Sequence, residues 1–216
     1  MPLEIRPVEE SDFEDFVRIQ TAAFQGGGGI TGLLTPVPLP ANYIQKSIDK
    51  HIKSWRDEPD VTYLKVIDTD LDGKMIAGAK WRINEKERTE EQIKSMLPVP
   101  GPDEEGNPAL QDFMRYLSRV RREYMGTKPF YFLHILATHP DHHRRGAGAR
   151  LIAWGLEKAD KVQLPAFLES SPMGRPLYAR MGFEPKHEEV WDLTKYGREG
   201  TDTNTIMIRE PLSQEK

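Results

Sequence analysis

An α/β fold built around one sheet is predicted by three features of the chain. An apolar run from Phe130 to Ala137 enters a short glycine loop, His143-Arg144-Arg145-Gly146-Ala147-Gly148, and an amphipathic helix pattern leaves it. Segments of strand length alternate with helical patterns on both sides of that unit. Asp72-Gly73 joins two strand patterns as a hairpin turn. Strand, glycine loop and helix in that order form an anion cradle. Gly146 and Gly148 remove side chains where the backbone turns, so free N–H groups and the positive end of the helix dipole converge on a phosphate. Arg144 and Arg145 add candidate charge-assisted contacts.

The elements follow in order. Leu3 to Val8 reads as the first strand, and Ser11 to Glu14 has capping-box spacing for a helix carrying Phe13, Phe16, Val17 and Phe24. That helix stops at Gly26 to Gly29, and Pro36, Pro38 and Pro40 keep the next stretch a loop. Ile44, Ile48, Ile52 and Trp55 form the stripe of a second helix. Val61 to Thr69 and Lys74 to Asn84 are the second and third strands, and Phe130 to Thr138 the fourth. A long helix runs from about Gly148 to Lys161, Pro165 to Ser170 is the fifth strand, and Met173 to Met181 is another helix. His187 to Leu193 and Thr203 to Ile208 close the chain as two antiparallel strands, followed by a frayed end.

Between the third and fourth strands, residues 85–128 contain a charged helical segment, a turn-rich stretch from Pro98 to Pro108, and a helix through Phe113, Leu117, Val120 and Tyr124. This reads as a helical insertion, either bordering an acceptor site or forming a surface excursion or dimer contact. At 216 residues, one domain spanning 1–216 is expected. The formal net charge of -4, with both signs interspersed, provides no basic field for nucleic acid or membrane. There is no cysteine, which excludes disulfides, a cysteine zinc site and a cysteinyl acyl-enzyme. With no long apolar run, and with Met-Pro-Leu-Glu-Ile lacking a signal core, a cytoplasmic location is expected. His139, His142 and His143 lie on a strand end and turn without cysteines and read as solvated loop histidines, so no metal site is expected.

The loop fits neither a Walker P-loop, which ends in Gly-Lys-Ser/Thr, nor the three-glycine dinucleotide fingerprint. It does resemble the pyrophosphate-binding motif of the GCN5-related N-acetyltransferase (GNAT) superfamily, Gln/Arg-x-x-Gly-x-Gly/Ala, with His143 standing where the family has Gln or Arg. A second signature follows: Glu169-Ser170-Ser171-Pro172-Met173-Gly174-Arg175-Pro176-Leu177-Tyr178-Ala179-Arg180-Met181-Gly182-Phe183 is similar to the family's fifth strand, fourth helix and Leu-Tyr-x-x-x-Gly-Phe ending. Ile5-Arg6-Pro7 followed by Asp12 is similar to its first strand and helix. The resemblance covers most of the chain. It implies a mixed, mostly antiparallel sheet flanked by helices and splayed between the fourth and fifth strands.

The resemblance further implies acetyl-CoA as cosubstrate, held by Leu136, Ala137, Thr138, His143, Arg144, Arg145, Gly146, Ala147, Gly148, Ala149, Ser170, Gly174 and Tyr178. The edge of the fourth strand would bond the pantetheine arm as an added strand does. Three residues take catalytic roles. The Leu136 N–H would polarise the thioester carbonyl, an oxyanion-type contact of about 3 kcal/mol. Tyr178 would protonate the departing thiolate or, on the alternative reading, pack in its helix. His134 matches a strand histidine implicated in amine deprotonation in arylalkylamine N-acetyltransferases, and simple alternation puts it on one face with Leu136 and Thr138. A core histidine is the alternative. Glu169 could order a water or bind a cationic acceptor.

The expected function is acetyl transfer to a small-molecule amine by direct attack in a ternary complex, in a monomer or homodimer. Two alternatives stand beside it: a noncatalytic acyl-CoA-binding module, and acetylation of a protein lysine or N-terminus.

Overall fold

The computed structural model describes residues 2–25 and 29–213. The expected glycine stop falls mostly at 26–28, and the expected frayed end reaches 214–216; both lie outside the described residues. Seven strands form one sheet: β1 (Leu3–Pro7), β2 (Val61–Asp68), β3 (Lys74–Asn84), β4 (Phe130–Thr138), β5 (Ala166–Ser170), β6 (Glu184–Asp192) and β7 (Thr201–Arg209). Their spatial order is β1-β2-β3-β4-β5-β7-β6. β4 and β5 are parallel and every other neighbouring pair is antiparallel. This is the mixed, mostly antiparallel sheet that the family resemblance implies.

Helices α1 (Phe13–Gln25), α2 (Ile30–Leu33), α3 (Tyr43–Asp57), α4 (Glu90–Ile93), α5 (Pro108–Tyr124), α6 (Ala147–Lys161) and α7 (Arg175–Arg180) cover both faces. α6 lays Leu151, Ile152 and Leu156 against Val66, Ala79, Trp81, Leu133 and Leu168 on one face. Gly155 lets this helix come close, since a Cβ there would stand 2.3 Å from the Trp81 ring. Trp81 also donates its indole N–H to the Leu151 carbonyl at 3.2 Å.

The opposite face carries two clusters. α1 and α3 pack Phe13, Phe16 and Ile52 over Tyr63, Met75 and Ala137, while α5 packs Phe113, Tyr116 and Val120 over Phe130, Phe132, Phe167 and Ile206. The insertion therefore builds part of the core and is no surface excursion. Its stripe is amphipathic at helical spacing, and Asn107 caps it by accepting from the Leu110 N–H at 3.0 Å. The α2 turn inside the proline-rich loop was not predicted from the sequence. Four residues are too few to show a period, and it is held from outside, where its first N–H donates to Asp202 on β7 at 2.7 Å. Among the described residues no helix is long and apolar enough to cross a membrane.

Candidate active site

The pairing of β4 with β5 covers only Tyr131↔Ala166, Phe132↔Phe167 and Leu133↔Leu168. Beyond Leu133 the strands part, and Glu169 and Ser170 pair only with Ile206 and Thr205 of β7. The register decides which groups line the gap. Partners in an antiparallel ladder alternate between bonded and non-bonded pairs. The His139 N–H bonds the Ile76 carbonyl at 2.9 Å, one step beyond Ala77↔Thr138. Ala137 and Ile135 therefore turn their backbone groups to β3, while Leu136 and Thr138 turn theirs to the open edge.

This separates residues that the sequence reading grouped together. Leu136 and Thr138 present backbone groups to the gap. Ala137 does not: its backbone faces β3 and its side chain is buried beneath α1, so it has nothing to offer a ligand at that edge.

Past β4, a single turn at Pro140–His142 leads to the loop. Arg144 has φ 60 and Gly146 φ 86, both left-handed, which turns the chain into α6. The next intrachain backbone bond after the turn is Arg150 N–H to the Gly146 carbonyl at 3.1 Å. The six backbone N–H groups from Arg144 to Ala149 thus bond no acceptor among the described residues. They surround the N-terminus of a 15-residue helix, where its dipole is positive. Gly148 is close-packed, since a Cβ would stand 3.4 Å from Leu177 and 3.7 Å from Leu136. Such a cradle fits a diphosphate.

The loop side chains behave differently from expectation. Arg145 reaches away from the cradle to Asp68 at the end of β2, at 2.5 Å, and contacts His142 at 3.0 Å. It clips the loop to the sheet and is not free to meet a phosphate. The His143 ring contacts the Thr138 carbonyl at 3.1 Å, so the departure from Gln or Arg is used to tie strand end to loop. Arg144 remains exposed. Among the described residues no three His, Cys, Asp or Glu side chains are grouped to hold a metal.

On β5 and α7, Ser170 is buried and donates to the Ser171 carbonyl at 2.8 Å. Gly174 answers to packing, since a Cβ there would lie 2.7 Å from the Tyr178 ring. Tyr178 is 9% exposed and edge-on to Phe183 at 6.1 Å. Burial pushes its phenol above the ordinary tyrosine range, so it is protonated at neutral pH and retains a proton to give.

His134 does not share a face with Leu136. Lys80 pairs with Ile135 and Trp81 with Leu133, so His134 is the extra residue of a β-bulge, and a bulge breaks strict alternation. Leu136 and Thr138 approach Gly148 on the α6 face. The His134 ring instead stacks on Phe132, with centroids 5.0 Å apart, on the α5 face. Its Nδ1 is buried without a partner. Burial, followed by the charges of Arg121, Lys80, Arg82 and His51, lowers its pKa well below 6.5. The imidazole is neutral throughout the neutral range.

Glu169 is not a free base. Arg121 on α5 holds it with two hydrogen bonds, at 2.6 and 2.9 Å, and spends a third donor on the Met96 carbonyl. Sequence reasoning missed Arg121, because one arginine on an insertion helix carries no motif. It also missed Lys80, whose Nζ donates to Ser54 of α3 at 2.7 Å. A groove of about 370 Å³ between α5 and β6, lined by Tyr116, Arg119, Glu189 and Trp191 among others, contains none of the predicted site residues.

A family model described as an acetyltransferase (GNAT) domain matches residues 113–185. A curated relative, the "Probable acyltransferase SID5" of Ajellomyces capsulatus, is 46% identical over 41 residues. That match spans 19% of this chain and 30% of the relative. Among solved structures, arylalkylamine N-acetyltransferase 2 from Aedes aegypti superposes with a TM-score of 0.68 at 12% identity, covering 97% of this chain and 99% of that one. An apo S171A mutant of agmatine N-acetyltransferase gives 0.65 at 11%, covering 97% and 100%. The chain has the GNAT acetyltransferase fold.

Proposed function

We propose that this GNAT-fold protein is an acetyl-CoA-dependent N-acetyltransferase that acetylates a small-molecule amine by direct attack, with both substrates bound. The observation that carries the reading is the six unbonded N–H groups of Arg144 to Ala149, at the mouth of α6, beside the free edge of β4. Acetyl-CoA, when bound, supplies the acyl group as an activated thioester. The loop N–H groups would hold its diphosphate, and Leu136 and Thr138 would bond its pantetheine arm as a neighbouring strand would. The Leu136 N–H, on the open edge of β4, would donate to the thioester carbonyl oxygen as charge grows on it. Tyr178 would release its phenolic proton to the departing sulfur. His134, neutral and at the bulge, would take a proton from the acceptor.

A small acceptor is favoured by the cover over that face. α5 and the α2 turn pack Phe113, Tyr116 and Ile30 into one cluster with Phe132, a helical cover that favours a small amine over a peptide strand. The fold likeness to enzymes named for arylalkylamines and agmatine supports the same class. The deciding experiment is thiol release from acetyl-CoA across arylalkylamines, diamines and lysine peptides, with product masses recorded. Acetylation of at least one small amine is expected. Transfer to peptides alone, or binding of coenzyme A without transfer to any acceptor, would replace this reading.

A further inference from the structure

The cradle at the mouth of α6 is made of backbone, so its hold on an anion depends on the shape in which the loop is kept. Its N–H groups converge only while the chain from His143 to Gly146 keeps its turn. One residue of that turn is costly. Arg144 has φ 60, a left-handed conformation that residues other than glycine, asparagine and aspartate rarely take. A residue so placed persists where its surroundings over-determine it, and here those surroundings come through its neighbours.

Arg145 is anchored at two points: one guanidinium nitrogen donates to Asp68 at 2.5 Å and another contacts the His142 ring at 3.0 Å. The anchor is itself fixed. Asp68 is 0% exposed and ends β2, where its other carboxylate oxygen accepts the Asp70 N–H at 3.1 Å and its carbonyl accepts the Gly73 N–H at 3.0 Å. The next residue, Thr69, donates its N–H to the Pro2 carbonyl at 2.8 Å, so the carboxylate sits at the corner where β1, β2 and β3 meet. On the other side of Arg144, the His143 ring contacts the Thr138 carbonyl at 3.1 Å. Arg144 is thus strung between two held residues.

We propose that Asp68 is a positioning residue for coenzyme A: through Arg145 it holds Arg144 left-handed and keeps the loop N–H groups convergent on the diphosphate, from 77 residues away in the chain. This rests on the acetyl-CoA reading above. The gain is preorganisation, since a loop already in its binding shape loses less freedom when the anion arrives. Direct contact of Arg145 with phosphate makes the opposite prediction. Were that its role, freeing Arg145 from Asp68 would strengthen binding.

The test is a double-mutant cycle on the Kd for coenzyme A, measured by calorimetry on wild type, Asp68→Asn, Arg144→Gly and the two together. Glycine takes a positive φ without penalty, so in its background the clip becomes dispensable. Asp68→Asn alone is expected to raise Kd about tenfold, and to raise it less than about threefold when Arg144→Gly is already present. An unchanged Kd would confine Asp68 to folding stability, and tighter binding would assign Arg145 to the phosphate; either overturns the proposal. The same loss in both backgrounds would also overturn it, because Asp68 would then not act through Arg144. A wild type that binds no coenzyme A would overturn the functional reading itself. Should Asp68→Asn not fold, Arg145→Gln cuts the clip at its more exposed end and is measured in the same two backgrounds. A loss relieved by Arg144→Gly is again expected, and an unrelieved or absent loss would overturn the proposal.

Discussion

Arg121 holds Glu169 through two parallel hydrogen bonds of 2.6 and 2.9 Å, with the side chains only 4% and 8% exposed. One residue lies on the insertion helix and the other at the end of β5, so the pair bolts the insertion to the strand that borders the cofactor gap. The Arg121 guanidinium also lies 4.9 Å from the Phe132 ring centre, beneath which His134 stacks.

Breaking this pair from one side leaves a buried charge alone. Glu169→Gln or Arg121→Met is expected to cost about 3–5 kcal/mol of folding stability. Urea unfolding measures it, and a loss below about 1 kcal/mol would show that the pair is solvated in solution.

The cradle makes a prediction in two parts. Gly148→Val crowds Leu177 and Leu136 and should raise the Kd for coenzyme A by tenfold or more, about 1.4 kcal/mol. Gly146→Ala meets no atom within 4 Å but must hold φ 86, a strain of about 1–2 kcal/mol. It should lower the melting temperature more than it lowers affinity. Calorimetry and thermal melts on both variants check the contrast.

For Tyr178→Phe, kcat is expected to fall with little change in acetyl-CoA affinity, because the hydroxyl acts on charge that develops during reaction. The ring, against Gly174 and Phe183, is retained. Equal turnover, with chemistry shown to be rate-limiting by single-turnover kinetics, would return Tyr178 to packing alone.

The Arg145–Asp68 clip gives a pH dependence. Burial works to raise the Asp68 pKa, but the Arg145 hydrogen bond, the Asp70 N–H and the Arg145 charge outweigh it and hold the carboxyl below its ordinary value. A carboxyl whose pKa is lower folded than unfolded stabilises above the unfolded value of about 4, and that stability is lost as pH falls through the folded one. Asp68→Asn should therefore melt below wild type near neutral pH, with the two curves converging in acid. Melts across pH check it, and a constant difference would assign the loss to packing.

All seven strands could be read from the chain, because short apolar runs bounded by Gly, Pro and Asp turns are local signals. The loop was legible for the same reason: an αL glycine and a helix start need only a few consecutive residues. His134 shows where local reading fails. Alternation put it beside Leu136, and one unpaired residue in the β3–β4 ladder moved it to the other face. A bulge depends on the partner strand's register, which no single strand encodes.

The same distinction runs through the site. By itself the sequence determined the order of elements, the glycine cradle, and the identity of Tyr178 and His134 as candidates, since each is written in contiguous residues. Only the tertiary structure decided that Arg145 serves Asp68, that Glu169 is spent on Arg121, and that Lys80 lies opposite the bulge. Those outcomes join residues 77, 48 and about 54 positions apart. Which charge neutralises which in a low-dielectric interior is settled by distance and desolvation, quantities that exist only once the chain has closed on itself.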